Sequence, residues 1–305
     1  EPELPDYPKD PAFKAKYGPR GVLDCKASDK DDATVDPRFG KLGKQVCKDT
    51  GPLTKKRMET IDEDMLANSL DFMDRQVKAN KPFFLWWNST RMHIFTHLKP
   101  ESVGKTGLGI YADGMVEHDG HVGELLKLLD DLKIADNTIV LYTTDNGAEI
   151  ALWPDGAMTM FHGEKGTTWE GGFRIPMMVR WPGVIKPGTQ YNDIISLLDW
   201  FPTLAAAAGE PNIVAKMKAG FQAGSKTFKV HLDGYDQREL LKNSTGSARK
   251  EFFYWTENVA NGKDGAKIGK RVYKTDLKGK ILYEIGNVAR EGTTAQKFDW
   301  TNPTD

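Results

Sequence analysis

Phe161-His-Gly-Glu-Lys-Gly-Thr-Thr-Trp-Glu-Gly-Gly-Phe-Arg-Ile-Pro176, a short way downstream of Thr144-Asp-Asn-Gly147, decides how this chain reads. The second stretch closes Thr138-Ile-Val-Leu-Tyr-Thr-Thr144, an apolar run suited to a buried strand. Asp145 and Asn146 therefore stand just past a strand's C-terminal end, where open α/β sheets place their ligands. A carboxylate and an amide carbonyl are both oxygen donors suited to Ca²⁺ or Mg²⁺. Asp-Asn-Gly is equally a plain turn, and by spacing alone the turn is the better reading. The lysine phrase reverses that balance. Gly163 and Gly166 flank Lys165 and would let the backbone approach a bound anion. The Lys165 ammonium is a compact charge suited to an oxyanion. Taken alone it would be a surface lysine, one of 42 basic residues.

Working outward, strands alternate with helices. Leu66, Leu70, Met73 and Val77 recur at helical spacing within 54–77, with Thr54 or Thr60 as the cap. Lys81-Pro-Phe-Phe-Leu-Trp-Trp87 predicts a strand buried on both faces. Met115, Val122, Leu125, Leu126, Leu129 and Leu132 mark a second helix over 111–132. Pro176–Trp181 predicts a third core strand, and 197–208 a helix closed by Gly209. This order predicts an α/β sheet with helices on both faces. Past Pro211 the apolar pattern thins, and 251–256, 270–274 and 280–285 predict short strands of a small antiparallel element.

Composition excludes several classes. With 305 residues the chain can bury a sizeable core. Its formal charge of −1 offers no basic excess for nucleic acid, and no apolar run reaches the length of a membrane span. Cys25 and Cys47 allow one bridge or two free thiols, and the sequence leaves both open. Residues 1–53, rich in Pro, Gly, Asp and Lys without periodicity, read as an extended surface segment.

The histidines complete the candidates. His93 and His97 follow the 81–87 strand, where an imidazole could bind an anion or protonate a leaving group. Their four-residue spacing also fits zinc on a helix, but no third ligand has the matching arrangement. His118 and His121 flank an apolar stripe and read as buried structural residues. His162 adjoins the lysine loop and could line a pocket.

Val140–Gly147, Gly163–Gly172, Arg174–Gly183 and Ile194–Gly209 together resemble the sulfatases of the alkaline phosphatase superfamily, in particular the bacterial arylsulfatases. The resemblance runs from about Thr54 to Gly209 and fades beyond Asn258. It implies an alkaline-phosphatase-like α/β fold, a mixed sheet flanked by helices, with a small C-terminal antiparallel subdomain. The boundaries expected are 1–53 for the surface segment, 54–240 for the core and 241–305 for the C-terminal subdomain. The activity implied is that of a hydrolase acting on a sulfuric ester, either small-molecule or carbohydrate. Asp145 and Asn146 match two ligands of the family's divalent cation, usually Ca²⁺, with Mg²⁺ as the alternative. Lys165 matches the lysine that contacts the sulfate and the leaving oxygen. His93 matches a histidine that follows the preceding core strand, with His97 as the alternative assignment.

One element of the family pattern is absent. Its nucleophile is the hydrate of a formylglycine made from Cys/Ser-x-Pro-Ser/Ala-Arg, yet Cys25 stands in Cys-Lys-Ala-Ser-Asp and Cys47 in Cys-Lys-Asp-Thr-Gly. The N-terminal Asp-Asp metal pair has no counterpart either. The expectation is that Glu1 begins partway through a sulfatase whose first strands are missing, so that this chain supplies the C-terminal half of the active site. Uncovered sheet edges would then favour aggregation or a homo-oligomer. Two other readings remain: a phosphate or phosphonate ester hydrolase of the same superfamily, and a non-catalytic binding or structural protein. The resemblance favours a periplasmic or secreted location.

Overall fold

In a computed structural model of the chain, residues 11, 21–33, 35–36, 40–41, 43–153, 155–156, 158–260, 267–275 and 281–289 are described. They fall into two compact units, Glu1–Leu132 and Lys133–Asp305.

The first unit opens with a hairpin. Strand β1 (Leu23–Asp31) pairs antiparallel with β4 (Lys44–Asp49), and the short β2 (Val35–Asp36) and β3 (Gly40–Lys41) pair with each other. Cys25 lies directly opposite Cys47 and the two are joined, S–S 1.99 Å. The bridge is thus chosen over free thiols. The hairpin left no periodic trace in the sequence because β1 is exposed along most of both faces, so no apolar alternation is required of it.

Two helices follow where one was expected. Thr54 caps α1 (Lys55–Met58) by accepting from the Arg57 amide, and α2 (Ile61–Lys78) starts afresh with Asp62, Glu63 and Asp64 in its first turn. Those carboxylates suit the positive end of the helix dipole. Leu66 and Met73 face the core as their spacing predicts. Helix α3 (Ile110–Asp131) buries Leu129 of its predicted stripe, but also Asp113, Glu117, His118 and His121. Both histidines are buried, as the sequence suggests, but the hydrogen bonding expected of them does not extend to His121 Nδ1 among the described residues. Hydrogen bonds from the Thr106 amide and hydroxyl and from the Gly104 amide hold the Asp113 carboxyl below the usual range.

Residues 81–87 correct the sequence expectation. Among the described residues they pair with no strand, and burial alternates: Phe83, Leu85 and Trp87 are half-buried, while Phe84 and Trp86 are 70% and 76% exposed. This is the side-chain alternation of a strand without a neighbour on its outer face. The run ends where Ser89, Thr90 and Arg91 close on the fully buried Asp62. Ser89 Oγ and the Thr90 amide donate to its carboxylate, both at 2.9 Å. Arg91 then bridges to Glu117 of α3 through Nη2 at 2.6 Å.

In the second unit β5 (Val140–Thr143) and β6 (Met177–Arg180) pair antiparallel, with Tyr142 opposite Met178. Both strands are where the sequence put them. The one-turn α4 (Glu170–Phe173) precedes β6, and α5 (Trp200–Ala207) ends before Gly209, whose φ of +98° suits glycine as a helix stop. Helix α6 (Ile213–Ala219), the hairpin β7 (Phe221–Ala223) and β8 (Lys226–Phe228), and α7 (Arg238–Asn243) were not expected; each is too short for periodicity to register. Strands β9 (Phe253–Ala260), β10 (Lys267–Thr275) and β11 (Ile281–Ala289) form the predicted antiparallel element.

A single carboxylate organises the centre of this unit. Asp199, fully buried, accepts from Arg249 Nη2 at 2.7 Å and Nε at 3.0 Å, from Gln237 Nε2 at 3.0 Å, and from the amides of Ser196 and Tyr235 at 2.9 Å. That set ties α5 to the segments carrying 235–237 and 249.

Candidate functional site

The lysine loop is folded by close backbone contacts that only glycine permits. A Cβ on Gly147 would lie 1.8 Å from the Gly171 carbonyl oxygen, and one on Gly171 would lie 2.2 Å from that of Gly163. The end of β5, the start of the loop and α4 therefore cross at touching distance. Hydrogen bonds fix the crossing: the Gly147 amide donates to Gly172 O at 2.9 Å, and the Gly171 amide to His162 O at 2.8 Å.

This crossing brings Lys165 to the strand end. Its amide donates to Ala148 O at 2.8 Å, three residues beyond Asp145. Its ammonium donates to Glu149 Oε2 at 3.1 Å, both side chains being about a quarter to a third exposed. Glu164 adds a second tie by accepting the Ala151 amide at 3.0 Å. His162 is exposed and meets the Trp169 ring edge-on, centroids 4.6 Å apart. Arg174 lies over the Phe161 ring at 4.4 Å and pairs with Glu170 at 3.2 Å.

Asp145 is exposed, and its carboxylate takes part in no hydrogen bond or ion pair among the described residues. Asn146 directs its amide nitrogen to Gly147 O at 2.9 Å, which leaves its side-chain oxygen as an acceptor. Two oxygen donors at one strand end fit part of a Ca²⁺ shell, which takes six to eight oxygens. They do not make up a whole one.

Asp145, Asn146, His162 and Lys165 thus lie in the second unit on segments that touch. His93 and His97 belong to the first unit. His93 is exposed, with Nδ1 3.2 Å from Ile94 O, and His97 is half-buried. Sequence reading missed Glu149, the ammonium's partner. The available signal was an acid two residues after Gly147 in a loop already chosen for its lysine.

Comparison with known proteins gives a consistent result. The Sulfatase family model matches residues 7–210. Steryl-sulfatase of Rattus norvegicus is 36% identical over 200 residues, which make up 64% of this chain and 32% of that protein. N-acetylgalactosamine-6-sulfatase of Canis lupus familiaris is 39% identical over 207 residues, 66% of this chain and 40% of the relative. The chain therefore spans about a third to two fifths of these curated relatives. Among solved structures, the PsFucS1 sulfatase from Pseudoalteromonas sp. superimposes with a TM-score of 0.62 at 25% identity, covering 76% of this chain and 50% of that one.

Proposed function

Since the chain belongs to the sulfatase family, we propose that it supplies part of a metal-assisted site that hydrolyses sulfate esters, with Lys165 on the sulfate. The fold is alkaline-phosphatase-like, as in the sulfatase structure it resembles. The observation that carries the reading is the tie between Lys165 and the end of β5. The Lys165–Ala148 hydrogen bond and the Glu149 ion pair tie the lysine to the segment that directly follows Asp145 and Asn146, which supports a shared site for the cation and the two oxygen donors.

In this reading the Lys165 ammonium stabilises charge on the sulfate and on the leaving oxygen as their bond lengthens. Asp145 and Asn146 would be two ligands of a Ca²⁺ ion, Mg²⁺ being the alternative, and such an ion neutralises sulfate oxygens. His162 lines the loop, its ring steadied by Trp169. His93, or His97 in its place, is proposed from sequence position alone as the group that binds sulfate or protonates the leaving oxygen. Cys25 and Cys47 are bonded to each other, so neither supplies a formylglycine in this form.

The substrate class proposed is a small-molecule or carbohydrate sulfate ester, as in arylsulfatase-type enzymes. The disulfide suits an oxidising compartment, which favours a periplasmic or secreted setting. Among the described residues no helix is long and apolar enough to cross a membrane. The exposed Phe84 and Trp86 make a homo-oligomer part of the proposal. A second reading, a sulfatase-fold protein that binds without turnover, is favoured by the same cysteine bridge.

Hydrolysis of an aryl sulfate, with and without Ca²⁺, separates the two. The enzyme reading expects metal-stimulated turnover that Lys165→Ala reduces by about 10²-fold or more. Sulfate-competed binding with no turnover would instead establish the binder.

A further inference from the structure

Away from the lysine loop, three chemistry-bearing side chains of the first unit converge with polar atoms left over. Glu117 and His121 are four residues apart on α3 and so share a helix face; Glu63 comes from the first turn of α2. One donor atom from each lies within 4.8 Å of the other two. Such a donor set, two carboxylates and an imidazole, is one that binds Zn²⁺ and its first-row neighbours.

The local pairing is incomplete in a way that points to a cation. Glu117 gives Oε1 to Arg91, but its Oε2 is buried with no hydrogen-bond partner among the described residues. His121 is 5% exposed and its Nδ1 has no hydrogen-bond partner among the described residues. Its Nε2 faces Glu63 Oε1 at 3.6 Å, too far for a hydrogen bond. The ammonium of Lys99 sits on that same Glu63 oxygen. A buried carboxylate oxygen and a buried imidazole nitrogen that lack hydrogen bonds among the described residues are costly, and the lysine shows where positive charge is favoured. Lys99 is partly exposed, so its ammonium can swing into solvent.

We propose that Glu63, Glu117 and His121 form a binding site for one transition-metal dication of the Zn²⁺ class, clamping α2 to α3, with Lys99 as the competing internal cation. The three side chains would close to metal–ligand distances of about 2.0–2.2 Å, leaving a fourth position for water. The site owes nothing to the sulfatase reading, and its residues are distinct from Asp145 and Asn146.

The test is calorimetric titration of the untagged, chelator-stripped chain with Zn²⁺ in excess Ca²⁺, paired with Co²⁺ absorption spectra. One equivalent should bind, with visible Co²⁺ bands from an imidazole–carboxylate set. His121→Gln should weaken binding at least tenfold and bleach those bands while helical circular dichroism is kept. Asp145→Ala should leave both unchanged. Lys99→Met removes the competing charge and should tighten binding by about tenfold. Should His121→Gln fail to fold, the Lys99→Met result decides alone. No binding by the unaltered chain, equal affinity in a folded His121→Gln, or no tightening in Lys99→Met would each overturn the proposal.

Discussion

Asp199 and Asp145 belong to the same unit and have opposite surroundings. Asp199 is fully buried, and both its oxygens accept from Arg249 with further donors from Gln237, Ser196 and Tyr235. Asp145 stands exposed at the end of β5, outside any hydrogen bond or ion pair among the described residues. A carboxylate whose lone pairs are all accepted internally is committed to holding segments together. One whose lone pairs face outward can offer them to a cation or to a hydrogen-bond donor. Internal saturation thus separates architectural acids from candidates for chemistry better than residue type does. Asp62, with Ser89 and Thr90 upon it, falls on the architectural side.

The largest effect should come from breaking the saturated node. Arg249→Met leaves a buried carboxylate without its bidentate partner, and a cost of about 3–5 kcal/mol in urea unfolding is expected. A loss under about 1 kcal/mol would mean that saturation does not mark architecture here. The lysine loop should answer differently. Lys165→Ala is expected to lower the rate of an active form by about 10²-fold or more while changing stability by under about 1 kcal/mol, since its ion pair is partly exposed. A matching loss of stability and rate would make Lys165 another architectural residue.

A smaller effect concerns acid. The folded-state pKa of Asp113 lies below its unfolded value, so its stabilisation is full above about pH 4 and is lost as pH falls further. Asp113→Asn should flatten the stability profile in that window, read by thermal melts from pH 5 to pH 2. An unchanged acid slope would show that those hydrogen bonds do not favour the ionised form. The smallest effect is expected at Asp145. Asp145→Ala should alter stability by no more than about 0.5 kcal/mol while abolishing Ca²⁺ binding in a titration. Retained Ca²⁺ affinity would remove Asp145 from the site.

Much of the fold is legible in the sequence, and the remainder is hidden for identifiable physical reasons. Strands β5 and β6 and helices α2, α3 and α5 announce themselves through apolar spacing, because burial imposes a period on the residues buried; the three C-terminal strands leave a thinner pattern. Asp145, Asn146 and Lys165 stood out only through the whole phrase around them and its resemblance to the sulfatases, since by spacing alone they read as a turn and a surface lysine. Glu149 did not, for the chain has 43 acidic residues and only the crossing of Gly147 with Gly171 selects this one. The ion networks were equally hidden. Asp199 and Arg249 are 50 residues apart, and no local pattern names a partner at that distance. The outer face of 81–87 was misread for a related reason: an apolar run reports a preference for burial but not whether a neighbour supplies it.

That uncovered run has an optical consequence. Trp86 projects into water with 76% of its surface exposed, beside an equally open Phe84. An indole so placed emits at long wavelength and is open to iodide quenching. Any strand or second copy that lies along 82–88 would dry the ring, shift its light to the blue and shield it. Subtracting the spectrum of Trp86→Phe isolates that signal from the other tryptophans, so the chain itself reports, in colour, whether its open edge has found a cover.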